Sequence, residues 1–135
     1  MIRNDYNETI VAVASPPGRG AIVVVRVSGK QVRTLMSCHL RQPSRAKWIE
    51  RQAHLAHFLD RGNQPLDQVL ATFFPGPASY TGEDLVEISC HGSPALVEEI
   101  VEALLHSGAR LAEPGEFTMR AFLNGKIDLA QAEAV

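Results

Sequence analysis

Residues 21–27, AIVVVRV, constrain the fold more than any other stretch of the chain. Branched aliphatics at this density are stiff at χ1, which favours a pleated strand over a helix. An apolar run without polar alternation is expected where a strand is buried on both faces. The single break is Arg26. Burying a guanidinium costs several kcal/mol unless it is paired and hydrogen-bonded. Two readings follow. One is a structural arginine that reaches solvent or an ion pair. The other is an anchor for an anionic or carbonyl-bearing ligand, which suits the planar paired donors of arginine.

The segments around this strand predict its neighbours. Residues 9–14 are short and β-branched and run into the loop Ser15-Pro16-Pro17-Gly18-Arg19-Gly20. After Ser28-Gly29, Val32, Leu35 and Met36 repeat at helical spacing. Residues 41–51 are polar and basic with one Trp, which predicts a surface connection. Residues 53–59 and 66–74 predict two strands joined as a hairpin through 60–64, and Pro75-Gly76-Pro77 stops the second. A polar loop, 79–84, precedes a strand over 85–91. Ser93 and Pro94 then open a helix as N-cap and first residue. Leu96, Ile100, Val101, Leu104 and Leu105 should face inward, with Glu98, Glu99 and Glu102 outward, until Ser107-Gly108 stops the helix. Residues 109–112 predict a short strand.

The last run, PGEFTMRAFLNGKIDLAQAEAV, predicts two helices and a joint. Gly115 and Glu116 open the first, with the carboxylate suited to the positive end of the helix dipole. Phe117, Met119, Ala121, Phe122 and Leu123 should form its apolar face, and Asn124-Gly125 should close it. Asp128 predicts an N-cap for the second helix, with Gln131 completing a capping box. That helix is still running at Val135, as expected of a piece of something longer. Hairpin-like and crossover-like connections together predict an α+β fold, one mixed sheet covered by helices.

At 135 residues and 45% hydrophobic content the chain fits one domain with a real core. A net charge of −2 and a pI near 6.2 give no global attraction to nucleic acid or anionic membrane, so RNA binding would need a local basic patch. Residues 1–10 lack the apolar core of a signal peptide, and no apolar run approaches a membrane span. Cys38 and Cys90 stand far apart and suit a reduced, cytoplasmic compartment.

Glu87 is the second candidate for chemistry. Alternation along 85–91 puts Glu87, Ser89 and His91 on one face and Val86, Ile88 and Cys90 on the other. That polar stripe reads either as a solvated face or as a pocket lining, where Glu87 would accept two hydrogen bonds from an amidine-like edge. His91 suits an acid–base group, or more simply a turn histidine. Lys126, at the joint, reads as an ordinary surface lysine or as an ammonium aimed at a carboxylate. Gly18-Arg19-Gly20 invites a phosphate, but neither it nor any other stretch has P-loop spacing. The five histidines and two cysteines form no metal motif, and His54 and His57, three apart in a strand, fall on opposite faces.

The final run, together with TIVAVASPPGRGAIVVVRVSG and FFPGPASYTGEDLVEISCHGSPALVEE, resembles the N-terminal domain of the tRNA modification GTPases called MnmE or TrmE. The three blocks span most of the chain in the family's order. The resemblance implies a fold similar to the folate-binding domain of the glycine-cleavage T-protein. Residues 1–125 would form this folate-binding and dimerisation domain, and 126–135 would begin a helical domain. The implied ligand is 5-formyltetrahydrofolate or a related one-carbon tetrahydrofolate. GTP, magnesium and potassium would belong to a GTPase domain outside these residues. The implied partners are a second copy, a flavoprotein of the MnmG (GidA) family in a heterotetramer, and tRNA, whose wobble uridine receives an aminomethyl-type group at carbon 5. The family's folate contacts fall on Arg26, Glu87 and Lys126, none of them catalytic. One departure is Ser93, where many relatives carry a second glycine. Competing readings are a purely structural dimerisation module with a vestigial pocket and a T-protein-like aminomethyltransferase fragment. An RNA-binding module ranks last, given the acidic balance.

Overall fold

The computed structural model describes residues 7–14 and 22–134. The Gly18-Arg19-Gly20 loop lies outside the described residues. In chain order the elements are β1 (Ile10–Val13), β2 (Ile22–Ser28), α1 (Val32–His39), β3 (Leu40–Arg41), β4 (Ala53–Leu59), β5 (Pro65–Phe74), β6 (Leu85–His91), α2 (Pro94–His106), β7 (Arg110–Leu111), α3 (Glu116–Leu123) and α4 (Leu129–Ala134). The strands form one sheet in the order β3-β4-β5-β6-β2-β1-β7. Every pairing is antiparallel except β1 with β7, so the sheet is mixed.

Helices α1 and α2 share a core with the same face of the sheet. Val32, Leu35 and Met36 of α1 and Ile100, Ala103 and Leu104 of α2 are buried with Val25, Val27, Phe58, Val69, Phe73, Val86 and Ile88. Leu96, Val101 and Leu105 pack against this core half-buried, while Glu98, Glu99 and Glu102 face water. The capping box at α4 forms as expected: Gln131 N–H donates to Asp128 Oδ1 at 2.7 Å and Asp128 N–H to Gln131 Oε1 at 2.8 Å.

Four expectations are corrected. Residues 22–28 are not buried on both faces: Val25 and Val27 are inside, Ile22 is 62% exposed and Arg26 half-buried. Antiparallel neighbours, with α1 and α2 on one face only, leave much of the second face open, so Ile22 and Val24 on that side serve sheet propensity rather than a core. The presumed connection 41–51 begins with an edge strand, since Leu40 and Arg41 pair with Phe58 and His57. Ser93 is the N-cap of α2 with Pro94 at N1, yet its hydroxyl makes no capping hydrogen bond. Finally, α3 turns a charged side inward. Glu116, Arg120 and Ala121 are its buried residues, whereas Met119 and Leu123 are 45% and 53% exposed.

The turn after β2 depends on Gly29, which has φ +139° and donates its N–H to Asp84 O at 3.0 Å. A Cβ there would stand 2.7 Å from Thr9 Cα and 2.6 Å from Thr9 Oγ1, the oxygen that accepts Gln31 N–H. The obstacle is backbone, so it cannot rotate away. Gly29→Ala should destabilise the fold by roughly 2–4 kcal/mol, measured by urea unfolding, by combining backbone strain with a clash.

Candidate functional site

Two of the three expected site residues meet. Arg26 and Glu87 are directly opposed on adjacent strands β2 and β6. Arg26 Nε and Nη2 donate to Glu87 Oε2 at 2.9 and 2.6 Å. Both bonds fall on one oxygen, so the pair is not the two-oxygen fork in which guanidinium and carboxylate saturate each other. Glu87 Oε1 retains acceptor capacity and Arg26 Nη1 retains donor capacity. Each side chain is 31% exposed, which makes the pair reachable from water and worth little to stability by itself.

The pair lies in a row across the open face, Ala12, Arg26, Glu87, Thr72, Ala53. The adjacent row is Val24, Ser89, Leu70, Leu55, with the two leucines 47% and 48% exposed. Arg26 also lines a hollow of about 400 Å³ whose other walls include Ala12, Ala14, Pro114, Phe117 and Thr118. A charged, fork-shaped group thus stands at the mouth of a cleft with one aromatic wall. Such a cleft can orient a flat, polar heterocycle.

Lys126 is not brought to this pair. It makes no hydrogen bond or ion pair with Arg26 or Glu87 among the described residues. Its backbone N–H donates to Ala121 O at 2.8 Å. Its stem lies beside Gly82, where an added Cβ would meet Lys126 Cγ at 3.4 Å. Asn124 Nδ2 donates to Thr81 O at 2.8 Å, clamping the joint onto the 79–84 loop. His91 pairs with Asp67, through Nδ1 at 2.8 Å and through its N–H at 3.1 Å, and is largely exposed. No cluster of metal-ligating side chains occurs among the described residues. Cys90 is a buried thiol pushed up by burial and by the charge of Asp67.

The residues that sequence reading missed are those that set the cleft wall. Arg120 is 1% exposed, and its Nη1 donates to Glu83 Oε1 at 3.0 Å. Its Nη2 donates to Glu8 O at 2.7 Å and to Glu116 Oε2 at 3.1 Å. Arg110 grips Glu116 through both carboxylate oxygens, at 2.8 and 2.6 Å, and reaches Glu8 at 3.0 Å. Glu83 also accepts from Ser28 Oγ at 2.8 Å, so Thr81, 2.7 Å from Ser28 Oγ, must be the donor in that second contact. This network fastens α3, and with it Phe117 and Thr118, to the end of β2. Tyr80 Oη, 3.0 Å from Thr118 Oγ1, adds a further tie. Burial alone would raise the Glu116 carboxyl. The hydrogen bonds from Arg110 and from the Glu113 N–H, with the charges of Arg110 and Arg120, outweigh it and hold the group at about 2. Arg110 is pushed up chiefly by its hydrogen bonds to Glu116. The one available signal was the Glu116–Arg120 spacing of four, which places opposite charges together on a helix.

Residues 9–126 match the family described as GTP-binding protein TrmE N-terminus. The chain is similar to the tRNA modification GTPase MnmE of Koribacter versatilis, 53% identical over 133 residues. It is likewise similar to those of Nitrosomonas eutropha, 52% over 130 residues, and Thermotoga maritima, 50% over 128. These alignments cover 95–97% of this chain and 28–29% of the relatives. The chain therefore spans less than a third of the length of those relatives. Taken together, these matches show that the chain belongs to the family described as GTP-binding protein TrmE N-terminus.

Proposed function

We propose that this chain is a folate-binding and dimerising domain of a tRNA-modifying GTPase. Residues 1–125 form the domain and 126–135 open a helical one. In this reading Glu87 accepts the donor edge of a pterin ring, and Arg26 holds a carbonyl or balances charge. Lys126 favours an anionic tail or the formyl oxygen. The ligand is 5-formyltetrahydrofolate or a related one-carbon tetrahydrofolate. GTP, magnesium and potassium serve a GTPase domain elsewhere in the protein. The whole works in the cytoplasm with a flavoprotein of the MnmG type on the wobble uridine of tRNA. No helix among the described residues is long and apolar enough to cross a membrane.

The observation that carries this reading is the Arg26–Glu87 pair, half-exposed and joined through one oxygen only, beside a cleft. Calorimetric titration with 5-formyltetrahydrofolate tests it. Saturable binding that Arg26→Ala and Glu87→Ala both abolish supports the pocket.

A structural dimerisation module is the second reading, and the exposed, directly opposed pair Leu55 and Leu70 favours it. Both readings have the chain dimerise. Leu55→Glu/Leu70→Glu should turn the dimer into a folded monomer in sedimentation velocity, because it puts like charges opposite one another on a face meant to be covered. An unchanged dimer would place the contact elsewhere.

A further inference from the structure

Six of the 13 basic residues, Lys30, Arg33, Arg41, Arg45, Lys47 and Arg51, fall within residues 30–51, against one of the 15 acidic residues, Glu50. That stretch is net +5 in a chain of net charge −2. That is a local excess of positive charge along the sequence despite the acidic total, although Arg33 is paired with Asp84 at 3.2 Å, Lys30 reaches Asn7 and Arg51 reaches Ala78 O.

The fold collects part of this charge in one place. Arg41 and Arg45 line a hollow of about 340 Å³ with Gln42, Trp48 and Asn63. Arg33 and Glu50 line an adjoining hollow of about 350 Å³, and Ser37, Leu40 and Trp48 line both. The side chains of Arg41, Arg45 and Lys47 are exposed and make no ion pair or hydrogen bond among the described residues. The backbone that carries them is held. Gln42, 7% exposed, donates Nε2–H to Ala46 O at 2.9 Å, and Arg45 N–H reaches Gln42 O at 3.0 Å. Arg51 N–H reaches Phe73 O at 2.8 Å, and Trp48 meets the His54 ring edge-on at 5.2 Å. Arg45 and Arg51 have φ of 51° and 63°, a conformation that non-glycine residues keep only where surrounding contacts impose it. Asp60, the nearby acid, has its carboxylate turned onto its own turn, accepting Gly62 and Gln64 N–H at 2.8 and 2.9 Å.

We infer that this patch binds the phosphodiester backbone of tRNA. Arg41, Arg45 and Lys47 take phosphate oxygens, and Trp48, half-buried against the core, offers the exposed part of its ring to an unstacked base. Guanidinium forks match phosphate geometry, and a fixed aromatic among cations is the arrangement that reads a single-stranded loop. The choice of tRNA rests on the family reading above, whereas the patch stands apart from the folate pair. Arg41 has an ordinary alternative: it is one residue past the C-cap of α1 and on an edge strand, where a cation offsets the helix dipole and blunts the edge. That role predicts a loss of stability and no loss of affinity.

The test is fluorescence anisotropy of a labelled, unmodified tRNA transcript against the chain, at about 50 and about 200 mM salt. Arg41→Ala/Arg45→Ala should weaken binding roughly tenfold and lower the salt slope by about 1.5–2, with thermal unfolding unchanged. Should that variant melt early, Arg41→Gln/Arg45→Gln keeps the side-chain stems and should show the same loss. Wild-type affinity and slope in both variants, or no wild-type binding at the lower salt, would overturn the proposal. So would equal binding of phosphatidylserine vesicles or polyglutamate, which would make the patch a general anion surface. The same variants should titrate with folate as the wild type does, and Arg26→Ala should bind tRNA normally. Failure of the pocket and failure of the patch are thereby told apart.

Discussion

Arg120→Met should be among the most damaging substitutions in this chain, lowering stability by about 3–5 kcal/mol in denaturant unfolding. The side chain is 1% exposed and serves Glu83, Glu116 and the Glu8 carbonyl at once. Methionine refills much of the volume but strands one buried carboxylate, Glu116, and one partly buried one, Glu83, with reduced partners. Arg110 still holds Glu116, and Ser28 still donates to Glu83, so the lower end of the range is expected. Acid should expose the same network. Glu116 titrates at about 2 when folded, below its ordinary 4.5. The folded state therefore binds fewer protons than the unfolded chain over that interval. The stabilisation is fully present above about pH 5 and is lost as pH falls toward 2, on the order of 2–3 kcal/mol. Glu116→Gln should flatten that part of the stability–pH curve. A Glu116→Gln curve that tracks the wild type between pH 5 and 2 would show that Glu116 does not report the network.

The Arg26–Glu87 pair should behave in the opposite manner, with a small effect on stability and a large one on binding. A pair this exposed contributes roughly 0.2–1 kcal/mol, so either alanine variant should melt within a few degrees of wild type. A ligand donating charged hydrogen bonds to Glu87 loses about 1.5–3 kcal/mol per bond, which makes a fall of roughly 100-fold or more in folate affinity. Glu87→Gln is the informative variant. It keeps the shape but presents an amide N–H where the ligand also donates, and it should bind no better than Glu87→Ala. Calorimetric curves that overlay the wild type for all three variants would reduce the pair to an ordinary surface ion pair.

The sheet strands and long helices were legible because their signals are periodic. Alternation along β6 put Glu87 opposite the core face, and helical spacing in α2 picked out Ile100 and Leu104. The pairing of Arg26 with Glu87 was not legible, since register between strands 61 residues apart is set by tertiary packing. The inward charge of α3 was missed for a related reason. Its apolar residues do sit at helical spacing, yet Met119 and Leu123 face outward because Arg120 and Glu116 have partners waiting on β7 and the 79–84 loop. A pattern read within one helix cannot see partners supplied by other segments. Arg26 itself was noticed as an anomaly, and its burial was overestimated because a run of valines looks the same on a one-sided sheet as on a two-sided one.

The sheet order has a consequence for synthesis. β1 precedes the other strands in the chain, but its outer hydrogen bonds go to β7, with Arg110 N–H on Thr9 O and Ala112 N–H on Val11 O, both at 2.9 Å. Glu8, just upstream, waits for Arg110 and Arg120. A nascent chain emerging from the ribosome therefore carries an open strand edge until about residue 112 is free. Contacts this distant in sequence close slowly, and an unpaired edge invites other chains. The first strand in the sheet's chain order is sealed by the last, so a pause in translation between β6 and α3 would leave its outer edge open to other chains.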